Sequence, residues 1–468
     1  MKRLAFILFP IGMLSLASSC TKIPPSEYCI SEIVEQRLGK TVKWKKECAT
    51  DQQVNYRIQD LLQQELTVDA AVQIALLNNP QIQATFENVG ISQADLVEAG
   101  LFSNPAFDLL IRYPNKKKFI ADIEYSITAS FIDLLLIPLR TNVAKAELEQ
   151  TTLSVANEIL GLAFEVEQTY YELQSVEQEL KYSQSIAEIT NIHSEISSRQ
   201  ENIQNVNKLD FQLLQSKFLE AKLEIARVQN EIIYLKEKIN RQLGFCEEIK
   251  WTISKELPDI DYQGLPIERL ECVAFRARLD LQAARFEVIR LSRTLGVKQW
   301  WVYTQGRIGI GGERDPDGLN TLGPAFSGEI PIFNYGQASR MRIHAELRQA
   351  QERLAFLEIR ILSEVREAHK RLMNNLGIIN DYRSQILPLQ NKILESSEAL
   401  YNVMGLGIDR LLENKRQELQ SYKNYILSVR HYWLARVQLD QALGGKLYKV
   451  YFLEEEPDIC KLNAGVLE

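Results

Sequence analysis

Long apolar runs are what this sequence lacks. After the Leu4–Leu16 stretch near its start, no window reaches the roughly 18 unbroken apolar residues that a membrane-spanning helix needs, and the longest candidates are charged every few positions. A chain of this kind can cross a bilayer only with strands. Histidine is scarce, and His193, His344, His369 and His431 lie in separate segments. No CxxC pair occurs either, so no metal site is expected. The glycines of "GIGG" at 309–312 are followed by no GK[ST] and make no phosphate loop. No nucleophile, metal cluster or cofactor fingerprint is present, which argues against an enzyme and against a cofactor. The formal net charge of −7 gives no footing for nucleic acid.

What is there begins with "MKRLAFILFPIGMLSLASSC". Two basic residues, an apolar stretch and small residues make residues 1–19 a secretory signal. Cys20, directly after Ala17-Ser18-Ser19, resembles a lipobox, in which the cysteine is fatty-acylated (palmitate among the chains) and becomes the mature N-terminus. By analogy with lipoprotein sorting, Thr21 in place of Asp favours the outer membrane. A lipidated N-terminal segment, 20–65, follows. An exported chain can form disulfides, and Cys29–Cys48 and Cys246–Cys272 are the candidate pairs; the odd count beyond Cys20 leaves one thiol over.

Internal self-similarity organises the rest. "EVEQTY" at 165–170 aligns with "EVREAH" at 364–369, "PQIQA" at 80–84 with "LDLQA" at 279–283, and "NRQLG" at 240–244 with "DQALG" at 440–444. A near-constant offset of about 200 residues marks two copies of one unit, at 66–250 and 265–445, with a tail at 446–468. Each copy has the order helix, two strands, long helix, helix. The first helices are Leu66–Gly100 and Ile267–Val297, the long ones Thr141–Gln200 and Gln337–Asn402, and the last ones Lys208–Leu243 and Ile408–Leu443. Leu347, Ala350, Leu354, Leu357, Ile361, Val365, Ala368 and Leu372 give a narrow 3/4 stripe; Leu148, Val155, Ile159, Leu162, Val166, Tyr170, Leu173 and Leu180 give another. Such stripes predict coiled-coil-like packing.

The strands fall at about 104–133 and 299–332. In "FIADIEYSITASFID", 119–133, apolar and polar side chains alternate, with aromatics near both ends. That is the pattern of an outer-membrane barrel strand. Its hairpin partner is about 105–113, joined by "PNKKK", read as a solvated loop. The second copy supplies 299–311, with Trp300 and Trp301 at an interface, and 323–332, joined by "GERDPDGLNT". "NYG" at 334–336 then bends the chain into the long helix. Four strands cannot close a barrel in lipid, so the chain must oligomerise, and the sequence permits two, three or more copies.

"LTVDAAVQIALLNNPQIQA", "SNPAF", "GPAFSGEIPIFNYGQ", "LDQALGG" and the repeat together resemble the outer-membrane efflux protein family, the TolC-like channels of tripartite pumps, over about 66–445. The lipobox resembles its lipid-anchored branch. The resemblance implies a mainly α protein with a small β portion. It implies a homotrimer whose 12-stranded β-barrel in the outer membrane continues into a periplasmic α-helical barrel. It also implies docking with a periplasmic adaptor and an inner-membrane transporter of the RND, ABC or a similar class, and no catalytic centre. The adaptor-docking tip maps onto Val403, Met404, Gly405 and Leu406 in one helix–helix turn, where Met404 interrupts an aliphatic-Gly-aliphatic motif, and onto Asn205 and Val206 in the other. In that turn Asn205 or Asn207 is expected to take the left-handed conformation. The family's acidic aperture maps onto Asp409 and Glu413, with Leu412 as an apolar constriction and Asp210 as the first-copy counterpart of Asp409. The alternative function is a periplasmic adaptor lipoprotein of an efflux or type I secretion system. It would carry one helical hairpin and no lipid-facing strands. The three methionines beyond the signal, Met341, Met373 and Met404, are unclustered and give no support to metal export.

Overall fold

The structure is a computed structural model describing residues 26–45, 56–113, 115, 120–247, 249–260, 266–300, 306–329 and 331–450. The expectations for the signal sequence, Cys20, Cys48 and Trp301 lie outside the described residues. The elements are α1 (Ser26–Leu38), α2 (Val68–Asn78), α3 (Pro80–Gly100), β1 (Ala106–Arg112), β2 (Asp122–Ala129), α4 (Phe131–Asn202), α5 (Lys208–Leu243), α6 (Ile267–Ala277) and α7 (Leu279–Trp300). They continue with β3 (Arg307–Arg314), β4 (Asn320–Ser327), α8 (Gln337–Asp381), a π turn (Tyr382–Ile386), α9 (Leu387–Asn402), α10 (Ile408–Leu443) and the short α11 (Leu447–Val450). Among the described residues no helix is long and apolar enough to cross a membrane.

The chain divides into two compact units. One, from Glu87–Thr152 and Gln282–Leu354, carries the sheet. Its four strands are all antiparallel in the order β1-β2-β3-β4. The other, from Ile30–Phe86, Leu153–Leu281 and the chain from Ala355 on, carries the helical core. There α4 buries Val155, Ile159, Phe164, Val166, Tyr170 and Leu173; α5 adds Leu235, Ile239 and Leu243; α10 adds Val429, Tyr432, Leu439 and Leu443. Ile361, Val365, Ala368 and Leu372 of α8 are also buried, as their stripe predicts. Burial on α4 is wider than a stripe, taking in Ala156, Leu160 and Ala163 as well. Lys423 of α10 ties three helices together, 3.0 Å from Glu179 and 3.2 Å from Ser183 of α4 and 3.1 Å from Glu224 of α5.

Several boundaries differ from the sequence reading, each for a local reason. The strand read to 133 ends at Ala129, because Ser130 caps a helix: its Oγ accepts the Asp133 N–H, an S-x-x-D pattern that starts α4 well before Thr141. Pro138 is thus inside a helix. The strand read from 299 is still helix at Trp300 and begins at Arg307. Its partner begins at Asn320 and not at 323, because a tight turn closes early. Gly318 sits at φ +94° and donates to the Asp315 carbonyl. The first helix of each half is broken. Asn79 is extended (ψ 120°) because Pro80 follows it, and Arg278 has the same conformation (ψ 117°) without a proline.

These two breaks meet two helix ends. Asn79 donates from Nδ2 to the Gln242 carbonyl, and Arg278 donates from Nη1 to the Ala442 carbonyl. Gly244 and Gly444, at φ +74° and +77°, terminate α5 and α10 in the left-handed conformation. A Cβ on Gly244 would meet the Asn78 carbonyl oxygen at 2.8 Å, and one on Gly444 the Arg278 Cα at 3.1 Å. Glycine is therefore needed at both positions twice over, for its φ and for the close approach.

The Cys246–Cys272 pair does not form: Cys246 is an exposed free thiol, whereas Cys272 is disulfide-bonded. Cys29 is exposed, and its candidate partner Cys48 lies outside the described residues. Nearness in sequence does not set the Cα separation a bridge requires.

Candidate functional site: a two-faced sheet and a helical tip

The register of the sheet sorts most of its side chains by polarity, with Leu110 on the charged face and Arg314 and Asn320 at the margin of the apolar one as exceptions. Phe107, Leu109 and Ile111 lie opposite Ile127, Tyr125 and Ile123; these continue across β3 through Ile310 and Gly312 to Pro324 and Leu322 on β4, with Ile308 paired to Phe326. Side chains directly opposite one another share a face, so one apolar face crosses all four strands. Phe107, Ile127, Ile310 and Phe326 are each more than half exposed on it. The other face carries Asp108, Arg112, Asp122, Glu124, Ser126, Thr128, Glu313 and Thr321. Arg112 bridges Asp122 at 3.3 Å and Glu124 at 2.9 Å, and Ser126 donates to Asp108 at 3.3 Å. β1 and β4 are the edges. Pro324, which has no N–H to give a ladder, sits on β4, where an edge tolerates it.

The second feature is the pair of helix–helix turns. α4 ends with the Gln204 N–H on the Glu201 carbonyl and the Asn205 N–H on the Gln200 carbonyl; α9 ends with Met404 on Tyr401 and Gly405 on Leu400. Both are Schellman closures. The left-handed residues are Gln204 (φ 58°) and Met404 (φ 60°). This corrects the expectation for Asn205 or Asn207, because Asn207 instead caps α5, its Oδ1 accepting the Asp210 N–H at 2.8 Å. The side chains ahead of the left-handed residues point outward: Ile203 and Val403 are each 73% exposed and Met404 is 96% exposed. Val206 and Leu406 are half-buried, while Asn205 and Gly405 are exposed.

The aperture candidates separate. Asp409 accepts from or pairs with His193 Nε2 at 3.1 Å, yet keeps about half of its side chain exposed. Glu413 is engaged within the chain. Arg416 meets it with two nitrogens, at 2.6 and 3.0 Å, and Lys217 lies 3.7 Å away. The Arg416 guanidinium holds the Glu413 carboxyl below its usual range. Leu412 is half-buried and lines a small cleft together with Ile189, His193 and Leu214. Asp210 is exposed and is not the counterpart of Asp409. Counting from the N-caps, Asn207 and Gly407, it occupies the position of Arg410, and Leu209 that of Asp409. His193, Lys217 and Arg416 were missed from sequence. Only Arg416, three residues after Glu413, left a local signal.

No protein-family model matches the sequence, and no curated protein matches it significantly. Solved structures do. The outer-membrane channel OprN superposes with a TM-score of 0.66 at 15% identity, over 83% of this chain and 91% of that one. The Campylobacter jejuni CmeC outer membrane channel gives 0.67 at 12%, over 81% and 86%. The Neisseria gonorrhoeae MtrE outer membrane channel, in its open state, gives 0.63 at 14%, over 81% and 89%. Identities this low speak to fold alone, and over the four-fifths of the chain that superposes it has the TolC-like fold of outer-membrane channels.

Proposed function

We propose that this protein is the outer-membrane channel of a tripartite efflux pump, passing substrates without chemistry from the pump to the exterior. The observation that carries this is the continuous apolar face across β1-β2-β3-β4, backed by a charged face and flanked by two unpaired edges. In lipid the edges must be paired and the apolar face turned outward. Three copies, β4 of each against β1 of the next, give a closed 12-stranded barrel with Arg112, Glu124 and Glu313 inside. The two halves, 66–250 and 265–445, are tandem repeats whose long helices continue the pore through the periplasm. Cys20 is the lipid anchor in the outer membrane. The exposed apolar tips around Ile203–Val206 and Val403–Leu406 are the adaptor's docking points, and an inner-membrane transporter completes the pump.

Reconstitution of the detergent-purified protein into planar lipid bilayers tests this. Stepwise single-channel currents and a heat-dissociable trimer are expected. A water-soluble monomer that leaves the bilayer silent would overturn it.

A further inference from the structure

The two ends of the folded chain hold each other. α1 seats Ile30, Val34 and Leu38 with at most 1% exposure, and the extended residues after it bury Val42 and Trp44, whose ring stacks on Phe86. An extended segment on a helical surface needs partners for its backbone groups, and two glutamines supply them. Gln73 exchanges two hydrogen bonds with the Thr41 backbone, and Gln83 accepts from the Lys45 N–H and donates to the Lys43 carbonyl. At Arg37 the partners come from the other end of the chain. Arg37 Nη1 donates to the Gly444 carbonyl at 2.9 Å, and the Lys446 N–H donates back to the Arg37 carbonyl at 3.0 Å. Lys446 Nζ reaches Glu167 of α4 at 3.2 Å and lies 3.9 Å from Asp69, which Lys40 also grips at 2.6 Å. Gly39, at φ +69°, brings the backbone close under Lys449.

We propose that residues 30–45 are a strap and that residues 444–449 are its latch, with Lys446 the residue that closes it. The glutamines hold the distal part of the strap without help from the latch. Lys40 has its own partner in Asp69, whereas Arg37 has its closing partners only once the end of α10 has formed. Arg37 is 8% exposed and Lys446 9%, so the latch also hides a tryptic site. The inference concerns this chain's own ends and stands whether or not Cys20 is acylated or the protein conducts.

Limited trypsinolysis of the full-length protein, with fragments identified by mass, tests it. Lys446→Met removes the charge that meets Glu167 and leaves the Arg37, Lys40, Lys43 and Lys45 sites intact. Cleavage after Arg37 should rise by about tenfold, the scale of local opening when charge-assisted bonds are lost. Cleavage after Lys222 and Lys236 in α5 should be unchanged. Lys446→Arg should restore protection. Gln83→Met, which removes the bonds to the Lys43 carbonyl and the Lys45 N–H, should open the sites after Lys43 and Lys45 more than that after Arg37. Equal protection in Lys446→Met and wild type would overturn the latch, and so would cleavage rising equally in α5, which would make Lys446 a general stability residue.

Discussion

Gln204 and Met404 hold the same left-handed backbone, at φ 58° and 60°, each two residues past the end of a helix closed by the same pair of hydrogen bonds. A side chain in this conformation costs about 1 kcal/mol or more, which glycine avoids. Gln204→Gly and Met404→Gly should therefore each raise the unfolding free energy by roughly 1 kcal/mol, read from denaturant midpoints. On the proposed function, Met404→Gly should also weaken capture of a periplasmic adaptor, since it deletes the most exposed apolar side chain of the tip.

Tyr125 lies across Gly312 on the apolar face of the sheet: a Cβ on Gly312 would stand 2.6 Å from the tyrosine hydroxyl. The ring thus covers bare backbone, an arrangement known to support glycine in sheets. Tyr125→Ala should lower the temperature at which the proposed trimer dissociates in detergent, at a cost of about 1 kcal/mol. Gly312→Val should do the same by displacing the ring. Heated and unheated samples compared by electrophoresis measure both.

Asp440 is fully buried, accepts the Leu447 N–H at 3.2 Å, and is pushed by burial to about 6. The folded value lies above the unfolded one. Its contribution to stability is thus complete below the unfolded carboxylate range and is lost as pH rises through about 6. Wild type should lose on the order of 2 kcal/mol relative to Asp440→Asn between pH 4 and pH 8, measured as the difference in unfolding free energy across that range.

Arg278 holds Asp280 with two nitrogens, at 2.6 and 2.9 Å, and Glu364 at 2.8 Å, while also capping α10 at the Ala442 carbonyl. Removing Arg278, the one buried member of this partly exposed set, also uncaps the Ala442 carbonyl. Arg278→Met should cost about 2 kcal/mol, visible as a lowered thermal midpoint with little change in conductance.

Asp409 and Glu413 should differ in planar bilayers. Asp409, half exposed, should on change to Ala raise conductance and relieve block by multivalent cations. Glu413, already matched by Arg416 and Lys217, should have the smaller effect on block. Equal effects would place both carboxylates at the aperture and undo the distinction drawn from their ion pairs.

The helices and strands were legible because periodicity is local. The two-residue alternation of 122–129 and the stripe Ile361–Leu372 each report one face of one element. Breaks and caps were less so. Pro80 announces the bend at Asn79, but nothing near Arg278 announces the same bend, which is held by residues far along the chain. The His193–Asp409 contact, the Lys423 cluster and the Lys446 latch join elements distant in sequence, and no local pattern encodes them.

The sequence by itself determined that no stretch after Leu4–Leu16 is apolar enough to cross a membrane as a helix, that its strands are two-faced, and that helical and strand segments come in the same order twice. Those are consequences of side-chain type and spacing along a single element. Only the tertiary structure decided which of the acidic residues at the tip are spoken for, which backbone positions are left-handed, and how the chain's ends meet. Charge pairing and helix closure depend on distances between segments, and distance is fixed by packing, not by order along the chain.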